Sequence, residues 1–356
     1  MPDAFLLSRV VLRFDAPDDD LITDLSAIAL TPDGSLWVGS DELLGLDRLS
    51  PVEPFVYGKH QHYGIENYIQ LWNDDDEIDI EGLDYSDDYL WFTGSHSTKR
   101  KKPKGKSTEK DLKRLSTIAV DLNRFLLARI PIWEGEPAKI CEPSIEPDKS
   151  LRAACLETSE RRNILIEHLR EDEHLGLFLN PPIPSKDNGL DVEGIAVREN
   201  TIFLGLRGPV LRGWAVILEL EIEETEPGVL NLKDIGKDGA AYKKHFVDLA
   251  GLGIRELCFD GDDLLIMAGP TMALEGVMRV YRWKDALGRS GDSITAGDSE
   301  ELSVVFDLDI IPGWDRAEGL ELFPCFGENG LLVIYDSPHT SRLKSDREML
   351  IDVFRL

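Results

Sequence analysis

The feature that most constrains the fold is a hairpin pattern that recurs five times along the chain. Each copy has a short apolar strand, a polar turn and a second apolar strand, as in the segment from Glu81 to Gly94. The turns contain Asp-Gly, Asp-Asp and Asn-Gly, which favour β-hairpins. The copies begin at Ser26, Glu81, Glu193, Arg255 and Glu318. Internal repeats of this kind are typical of radial or stacked architectures.

Further apolar strands follow most hairpins, so that a unit has four strands and the units recur at a spacing of roughly 60 residues. This pattern predicts an all-β fold, a β-propeller of five blades, as one domain over residues 1–356. The apolar segment 5–14 is expected to pair with 349–356 and to close the ring, because closure removes exposed sheet edges. An open sandwich or two smaller all-β domains is the alternative.

One gap between hairpins, from 81 to 193, is about twice the others. Within it, residues 161–172 have apolar side chains at helical spacing. We assign 135–185 to a helical insertion, centred near 150–180, or to a diverged sixth blade, and favour five blades with the insertion. Residues 97–114 form a basic loop that interrupts one blade without separating two domains.

Charge and composition restrict the partners. The formal net charge is −28, which repels nucleic acid and anionic membranes. The basic loop has nine basic and two acidic residues up to Arg114 but no interleaved aromatic residues, so we expect a solvated loop, or one that folds over the protein's acidic face or recruits an anionic substrate. No long apolar span or cysteine pair is evident, which favours a cytoplasmic protein.

Aligning the hairpins predicts a polar site at one mouth of the central channel, because the first strands begin there and the second strands return there. Three glutamates, Glu81, Glu193 and Glu318, are each followed by a glycine that lets the backbones approach closely. Carboxylates this close cannot all remain ionised without cations. Either Arg255 or a bound Ca²⁺ or Mg²⁺ ion is expected to compensate them.

The remaining candidates take roles from their chemistry. His96 is a candidate general base, and Arg207 is a candidate for holding an anionic group. Other residues expected to bind at the mouth are Lys186, Asn188, Arg212, Asp41 and Asp336. A purely structural interpretation stays open, in which the glutamates accept amide hydrogen bonds from the next blade and Asn188 forms a turn.

Three motifs carry a family resemblance: residues 94–97, 185–194 and 205–214, the last reading Gly-Leu-Arg-Gly-Pro-Val-Leu-Arg-Gly-Trp. With them the chain resembles the bacterial domain-of-unknown-function family 3616 over nearly its whole length, which implies a fold and a soluble bacterial setting but no reaction. It is more weakly similar to esterase-like phytase and calcium-binding propellers, in which such Glu-Gly positions supply metal ligands. Ser26 and Arg255 depart from an all-acidic ring.

Three functions are open at this point. The first is metal-dependent hydrolysis of a small phosphoester, ester or lactone, with Glu81, Glu193 and Glu318 as ligands. The second is a non-catalytic propeller with an Arg–Glu ion-paired channel that binds a small anionic molecule or a protein partner. The third is a scaffold without a site. The sequence does not decide whether the protein is an enzyme.

Overall fold

The computed structural model describes residues 5–15, 21–73, 76–142, 150–272, 274–309, 311 and 313–356. Most strands in these ranges belong to five four-stranded antiparallel units, numbered here by their first strands. Unit 1 contains Leu25–Leu30, Leu36–Ser40, Gly45–Glu53 and Val56–Gly64; unit 2 contains Ile80–Ser86, Tyr89–Gly94, Leu127–Trp133 and Ala154–Leu156; unit 3 contains Asp191–Arg198, Thr201–Gly208, Trp214–Glu226 and Lys243–Asp248. Unit 4 contains Gly253–Asp260, Asp263–Gly269, Met278–Trp283 and Leu302–Leu308; unit 5 contains Arg316–Cys325, Glu328–Asp336, Glu348–Arg355 and Leu6–Arg13.

The two ends of the chain meet in unit 5. Leu6–Arg13 pairs antiparallel with Glu348–Arg355, with Val10 opposite Ile351. The first strands of the units contact each other in the cyclic order 1, 2, 3, 4, 5 and back to 1. The predicted β-propeller, closed by its terminal strands, is therefore confirmed.

The hydrophobic core lies between neighbouring units. Each of the five interfaces in the described structure has its own cluster of buried apolar side chains. Trp91 of unit 2 packs in the same cluster as Leu204 of unit 3, and Trp37 of unit 1 in the same cluster as Phe92 of unit 2. Both tryptophans are almost completely buried. Alternating apolar residues on both faces of each sheet are needed to fill these interfaces.

The remaining elements are short. The additional strands are Lys99–Arg100, Ile118–Ala119, Glu136–Pro137, Ile140–Cys141, Leu151–Arg152, Val229–Leu232, Ser293–Thr295 and Leu343–Ser345. The α-helices are Thr108–Leu115, Ile164–Arg170 and Gly176–Leu179, and the 3₁₀ helices are Ile65–Asn67, Leu122–Phe125, Ser185–Asp187 and Lys237–Gly239. Two of these helices, Ile164–Arg170 and Gly176–Leu179, lie in the segment where the helical insertion was predicted, which also contains the strand Ala154–Leu156 of unit 2. The first helix lies in the basic segment, where the Ser107 hydroxyl accepts from the amide of Lys110 and caps it.

Two further observations concern the chain as a whole. Its four cysteines are free thiols. In the described ranges, no helix combines the length and the apolar character needed to cross a bilayer.

Candidate functional site

Each first strand carries a shift in its pairing register at the mouth of the channel. In unit 2, Ile80 lies opposite Gly94 and Gly82 opposite Thr93, which leaves Glu81 as an additional residue. The same count leaves Ser26, Glu193 and Arg255 as additional residues in units 1, 3 and 4. In unit 5, Glu318 and Gly319 lie opposite a single residue of the partner strand. The register shift at all five aligned positions gives them equivalent local geometry. Bulges of this kind redirect side chains and are frequent beside functional sites.

The glycines that follow the glutamates permit close approach of the strands. A Cβ atom added to Gly194 would lie 3.0 Å from the backbone of Glu256 in unit 4. One added to Gly82 would lie 3.0 Å from the amide nitrogen of Ile195 in unit 3. A larger residue at either position would push neighbouring first strands apart.

A chain of ion pairs crosses the mouth from unit 3 to unit 5. The Arg207 guanidinium contacts the carboxylates of Asp191 and Glu193. The Arg255 guanidinium contacts Glu318 and lies 2.8 Å, from Nη1 to Oε2, from the second oxygen of Glu193. Arg207, Asp191 and Glu193 are all buried. Both oxygens of Glu193 are therefore engaged by arginines. We call these five residues together with Glu81 the mouth layer.

Glu81 differs from the other mouth carboxylates. It is half-buried, and within the described ranges no cation contacts it. Burial raises its pKa well above the usual range, and the carboxylates of Glu193, Asp79, Asp191 and Glu318 raise it further. Burial also raises the pKa of Glu318, to about 8, although Arg255 opposes the shift. The mouth layer thus has, in Glu81, a carboxyl whose ionisation is opposed by burial and by four neighbouring carboxylates.

A second group of charges lies beside the mouth layer in unit 2. The Arg124 guanidinium contacts Asp79 and donates to the hydroxyls of Ser95 and Ser97 at 3.0 Å each. Burial raises the pKa of Asp79 and Arg124 opposes this. Across the mouth in unit 1, burial and then Asp79 raise the pKa of Asp41 to about 7. The carboxylates of units 1, 2, 3 and 5 therefore interact across one mouth.

His96 lies away from the mouth carboxylates. Its Nδ1 is 2.8 Å from the carbonyl oxygen of Gly94, and its Nε2 is 2.8 Å from Nδ2 of Asn163, which caps the helix Ile164–Arg170. These partners assign the proton to Nδ1. Burial lowers the pKa of His96 to about 4, so the ring is neutral and joins unit 2 to the helical insertion. The geometry gives it a structural position and no acidic partner for proton transfer.

The other predicted residues divide between the mouth and its surroundings. Lys186 is exposed and favours the ionised form of Glu193 at a distance. Asn188 has a left-handed backbone with φ of 64°, and its side-chain oxygen accepts from the amide of Val210 at 3.3 Å, which is the turn interpretation. Arg212 is exposed, without an ion pair to any described residue. Asp336 lies 3.2 Å from Nη1 of Arg316 and accepts from the Ser337 hydroxyl.

Deeper in the channel lies a second set of carboxylates, called here the inner layer: Asp84, Glu256 and Glu321. Each carboxylate accepts a hydrogen bond from a backbone amide of a neighbouring unit. The donors are Val197 to Asp84 at 2.5 Å, Ile195 to Glu256 at 3.0 Å and Leu30 to Glu321 at 3.1 Å. Burial raises the pKa of Asp84 to about 7 and that of Glu321 to about 8, and raises that of Glu256 well above its usual range. The sequence left open that the mouth glutamates accept amide hydrogen bonds from the next unit. In the structure, the inner-layer carboxylates accept such hydrogen bonds.

The arrangement was tested for a metal ion. A hard cation needs several free carboxylate oxygens, whereas arginines occupy both oxygens of Glu193 and contact Glu318. Among the described residues, no group of three or more His, Cys, Asp or Glu side chains is arranged to hold a metal. The predicted ligand set Glu81, Glu193 and Glu318 does not fit a Ca²⁺ or Mg²⁺ ion in this geometry.

Sequence reasoning missed Asp79, Asp191 and Arg124. A pattern that identifies two of them is present: Asp79-Ile-Glu81-Gly and Asp191-Val-Glu193-Gly repeat the same acid two residues before the glutamate. Each aspartate stands at or just before the start of the strand that carries its glutamate, so the repeated spacing places both aspartates beside the mouth. Nothing comparable in the sequence identifies Arg124, because it reaches the mouth from the 3₁₀ helix Leu122–Phe125.

Comparisons with known proteins give a family and distant structural neighbours. The model of DUF3616, described as a protein of unknown function, matches residues 24–352. A search of curated proteins finds no match. Virginiamycin B lyase from Staphylococcus aureus is 12% identical over 98% of this chain and 99% of its own, with a TM-score of 0.39. The calcium-binding protein regucalcin from Agrobacterium tumefaciens is 9% identical over 97% of each chain, with a TM-score of 0.38. The major Malassezia sympodialis allergen Mala s 1 is 8% identical over 97% of this chain and 95% of its own, with a TM-score of 0.43.

Proposed function

The chain belongs to DUF3616, a family of proteins of unknown function, as its motifs predicted, and we propose that it is a non-catalytic propeller that binds the cationic group of a small molecule at its channel mouth. The observation that carries the proposal is the chain of ion pairs from Asp191 through Arg207, Glu193 and Arg255 to Glu318. These ion pairs leave Glu81 without a cation among the described residues.

Charge balance supports a cationic ligand. The mouth layer contains four carboxylates, Asp191, Glu193, Glu318 and Glu81, and only two guanidinium groups, those of Arg207 and Arg255. Burial, and after it the neighbouring carboxylates, raise the pKa of Glu81 and of Glu318, so that protons relieve part of the excess negative charge. A ligand that brings a positive charge replaces those protons and restores full ionisation.

The chemistry of the existing pairs indicates which cation fits. Glu193 and Glu318 already bind guanidinium groups, whose planar donors match carboxylates well. We therefore propose that Glu81 binds a guanidinium or primary ammonium group of a small molecule. Metal-dependent hydrolysis is disfavoured because two of its three ligands, Glu193 and Glu318, contact arginines. The anionic ligand expected from the sequence is disfavoured by the excess of carboxylates.

Titration calorimetry with agmatine, which carries both a guanidinium and an ammonium group, tests the proposal. We expect binding to the wild type that strengthens as the pH rises, because agmatine binds the ionised form of a carboxyl whose pKa is raised. Glu81→Gln is expected to weaken binding by at least about tenfold, the effect of 1.4 kcal/mol.

Glu226→Gln is the matched control, because Glu226 is an exposed glutamate at the end of a strand in unit 3. It should bind agmatine as the wild type does. Equal agmatine affinity of Glu81→Gln and wild type would refute the proposal. Binding of CaCl₂ or MgCl₂ that Glu81→Gln abolishes, without agmatine binding, would favour the metal-dependent alternative instead.

A further inference from the structure

A cavity of about 850 Å³ lies outside the channel, between unit 2 and the helical insertion. Its walls come from the segment after the second strand of unit 2, from the helix Ile164–Arg170 and from residues 179–183. Its walls are largely apolar, and the apolar residues that line it include Val120, Leu122, Phe125, Ile166, Leu179, Ile183 and Leu190. Its volume lies within the range of pockets that enclose drug-sized ligands, and such pockets combine apolar walls with a few polar groups.

Three arginines, Arg161, Arg162 and Arg170, also line this cavity, and Glu160 is the one acidic residue among its lining residues. Arg170 donates from Nε to Asn180 at 2.7 Å, and Nε of Arg162 lies 3.4 Å from Glu167. Arg161 is exposed and makes no ion pair with the described residues. A local excess of positive charge in a chain with a net charge of −28 attracts an anion to this cavity.

The cavity wall also contains a hydroxyl without a partner. Thr98 is 7% exposed, and no described residue forms a hydrogen bond with its Oγ1. His96, next to it in the wall, has both ring nitrogens engaged by Gly94 and Asn163. A buried hydroxyl without a hydrogen bond is costly, so an occupant with an oxygen atom to offer would stabilise this wall.

We propose that this cavity binds a small apolar carboxylic acid, with its carboxylate at the arginines and its apolar body against Phe125, Ile166 and Leu190. The apolar walls favour a hydrocarbon chain or ring, and Arg161 and Arg162 favour an anion over an alcohol of the same length. This ligand is opposite in charge to the one proposed for the channel mouth, and the two sites share no residue. The two proposals therefore succeed or fail independently.

Calorimetry on the full chain with octanoate and with 1-octanol tests the inference. Octanoate is expected to bind, and octanol at least about tenfold more weakly. The double variant Arg161→Gln, Arg162→Gln should weaken octanoate binding about tenfold and leave octanol binding unchanged. Arg212→Gln is the matched control, an exposed arginine elsewhere on the protein, and should bind octanoate as the wild type does.

A second variant tests the apolar body of the site. Leu179→Trp adds volume at a half-buried wall residue and should weaken octanoate and octanol alike, in protein whose circular dichroism shows that it is folded. Three results would each overturn the inference: no octanoate binding to the wild type, equal affinity for octanoate and octanol, or an arginine double variant that binds octanoate as tightly as the Arg212→Gln control.

Discussion

The mouth layer and the inner layer of the channel use the same kind of side chain in two different ways. In the mouth layer, Glu193 and Glu318 are paired with arginines, and Glu81 is left without a cation. In the inner layer, carboxylates accept backbone amides of neighbouring units, as Glu256 does from Ile195. The inner carboxylates join the units through backbone amides, whereas the mouth carboxylates interact with arginines and with one another.

The difference follows from where each carboxylate stands relative to the bulges. The mouth residues are the additional residues of their strands, so their side chains are free of the regular pairing. The inner residues follow the bulge, within reach of a neighbouring strand whose edge amides have no partner in their own sheet. A buried amide needs an acceptor, and the carboxylate supplies it.

The largest effect is expected from removing an arginine of the mouth. Arg207→Leu leaves Asp191 and Glu193 buried beside each other without their shared cation, which should lower the free energy of unfolding by about 3 to 5 kcal/mol. Urea denaturation measures it. The exposed Arg212→Leu should change it by less than about 0.5 kcal/mol; equal losses would show that the ion pairs do not hold the mouth together.

A somewhat smaller effect is expected from the inner layer. Glu256→Ala removes the acceptor of two buried amides, those of Ile195 and Leu257, and should cost about 2 to 4 kcal/mol in urea denaturation. Glu256→Gln retains a carbonyl oxygen and should cost clearly less. If alanine and glutamine variants are equally stable, the amide contacts do not join the units.

The pH dependence of stability distinguishes the carboxyls of the mouth and inner layers, whose pKa values are raised, from a carboxyl whose pKa is lowered. The raised pKa values of Glu321 and Glu318, each about 8, mean that the folded protein holds these protons more tightly than the unfolded chain, whose carboxyls titrate near pH 4. The stabilisation of the folded protein by these two protonated carboxyls is fully present below pH 4 and is lost as the pH rises through about 8. The pKa of Asp172 is lowered, so its contribution to the stability of the folded protein is lost only in acid, below this window.

The free energy of unfolding should therefore fall between about pH 4 and pH 8, by a few kcal/mol in total. Glu321→Gln cannot ionise and should make this decline less steep in urea titrations at several pH values. A decline as steep in Glu321→Gln as in the wild type would contradict the raised pKa of Glu321.

The smallest effect is expected at Glu81. Because its charge is opposed by four neighbouring carboxylates and paired with none of the described cations, Glu81→Gln should raise the free energy of unfolding at about pH 8, by up to about 1 kcal/mol. Thermal unfolding at that pH measures the change, and the exposed Glu226→Gln is the control. A marked loss of stability would mean that Glu81 is structural, like the inner layer.

The sequence was sufficient for the architecture and for part of the mouth. The repeated hairpins placed Glu81, Glu193, Arg255 and Glu318 at equivalent positions, and the structure finds them interacting. Periodicity and turn chemistry are local properties, so a single sequence displays them. The terminal closure was predictable for the same reason, because an unpaired edge strand needs a partner.

The sequence was not sufficient for the roles of the side chains. Which carboxylate meets an arginine and which meets an amide depends on the depth of each residue in the channel and on the neighbouring unit, as with Glu321 and Leu30. His96 was predicted to transfer protons because of its place after a strand, but its ring partner Asn163 comes from an insertion 67 residues away. Contacts between distant segments decide such roles.

Glu81 is a mouth carboxyl whose pKa is raised by burial and then by its neighbouring carboxylates, and we propose that it is available to a cationic ligand. Carbon-13 NMR of protein labelled at the glutamate side-chain carboxyls, with the Glu81 signal assigned by its loss in Glu81→Gln, measures this directly. The account predicts a Glu81 pKa well above the usual range that falls when agmatine is added. An ordinary pKa that agmatine leaves unchanged would contradict it.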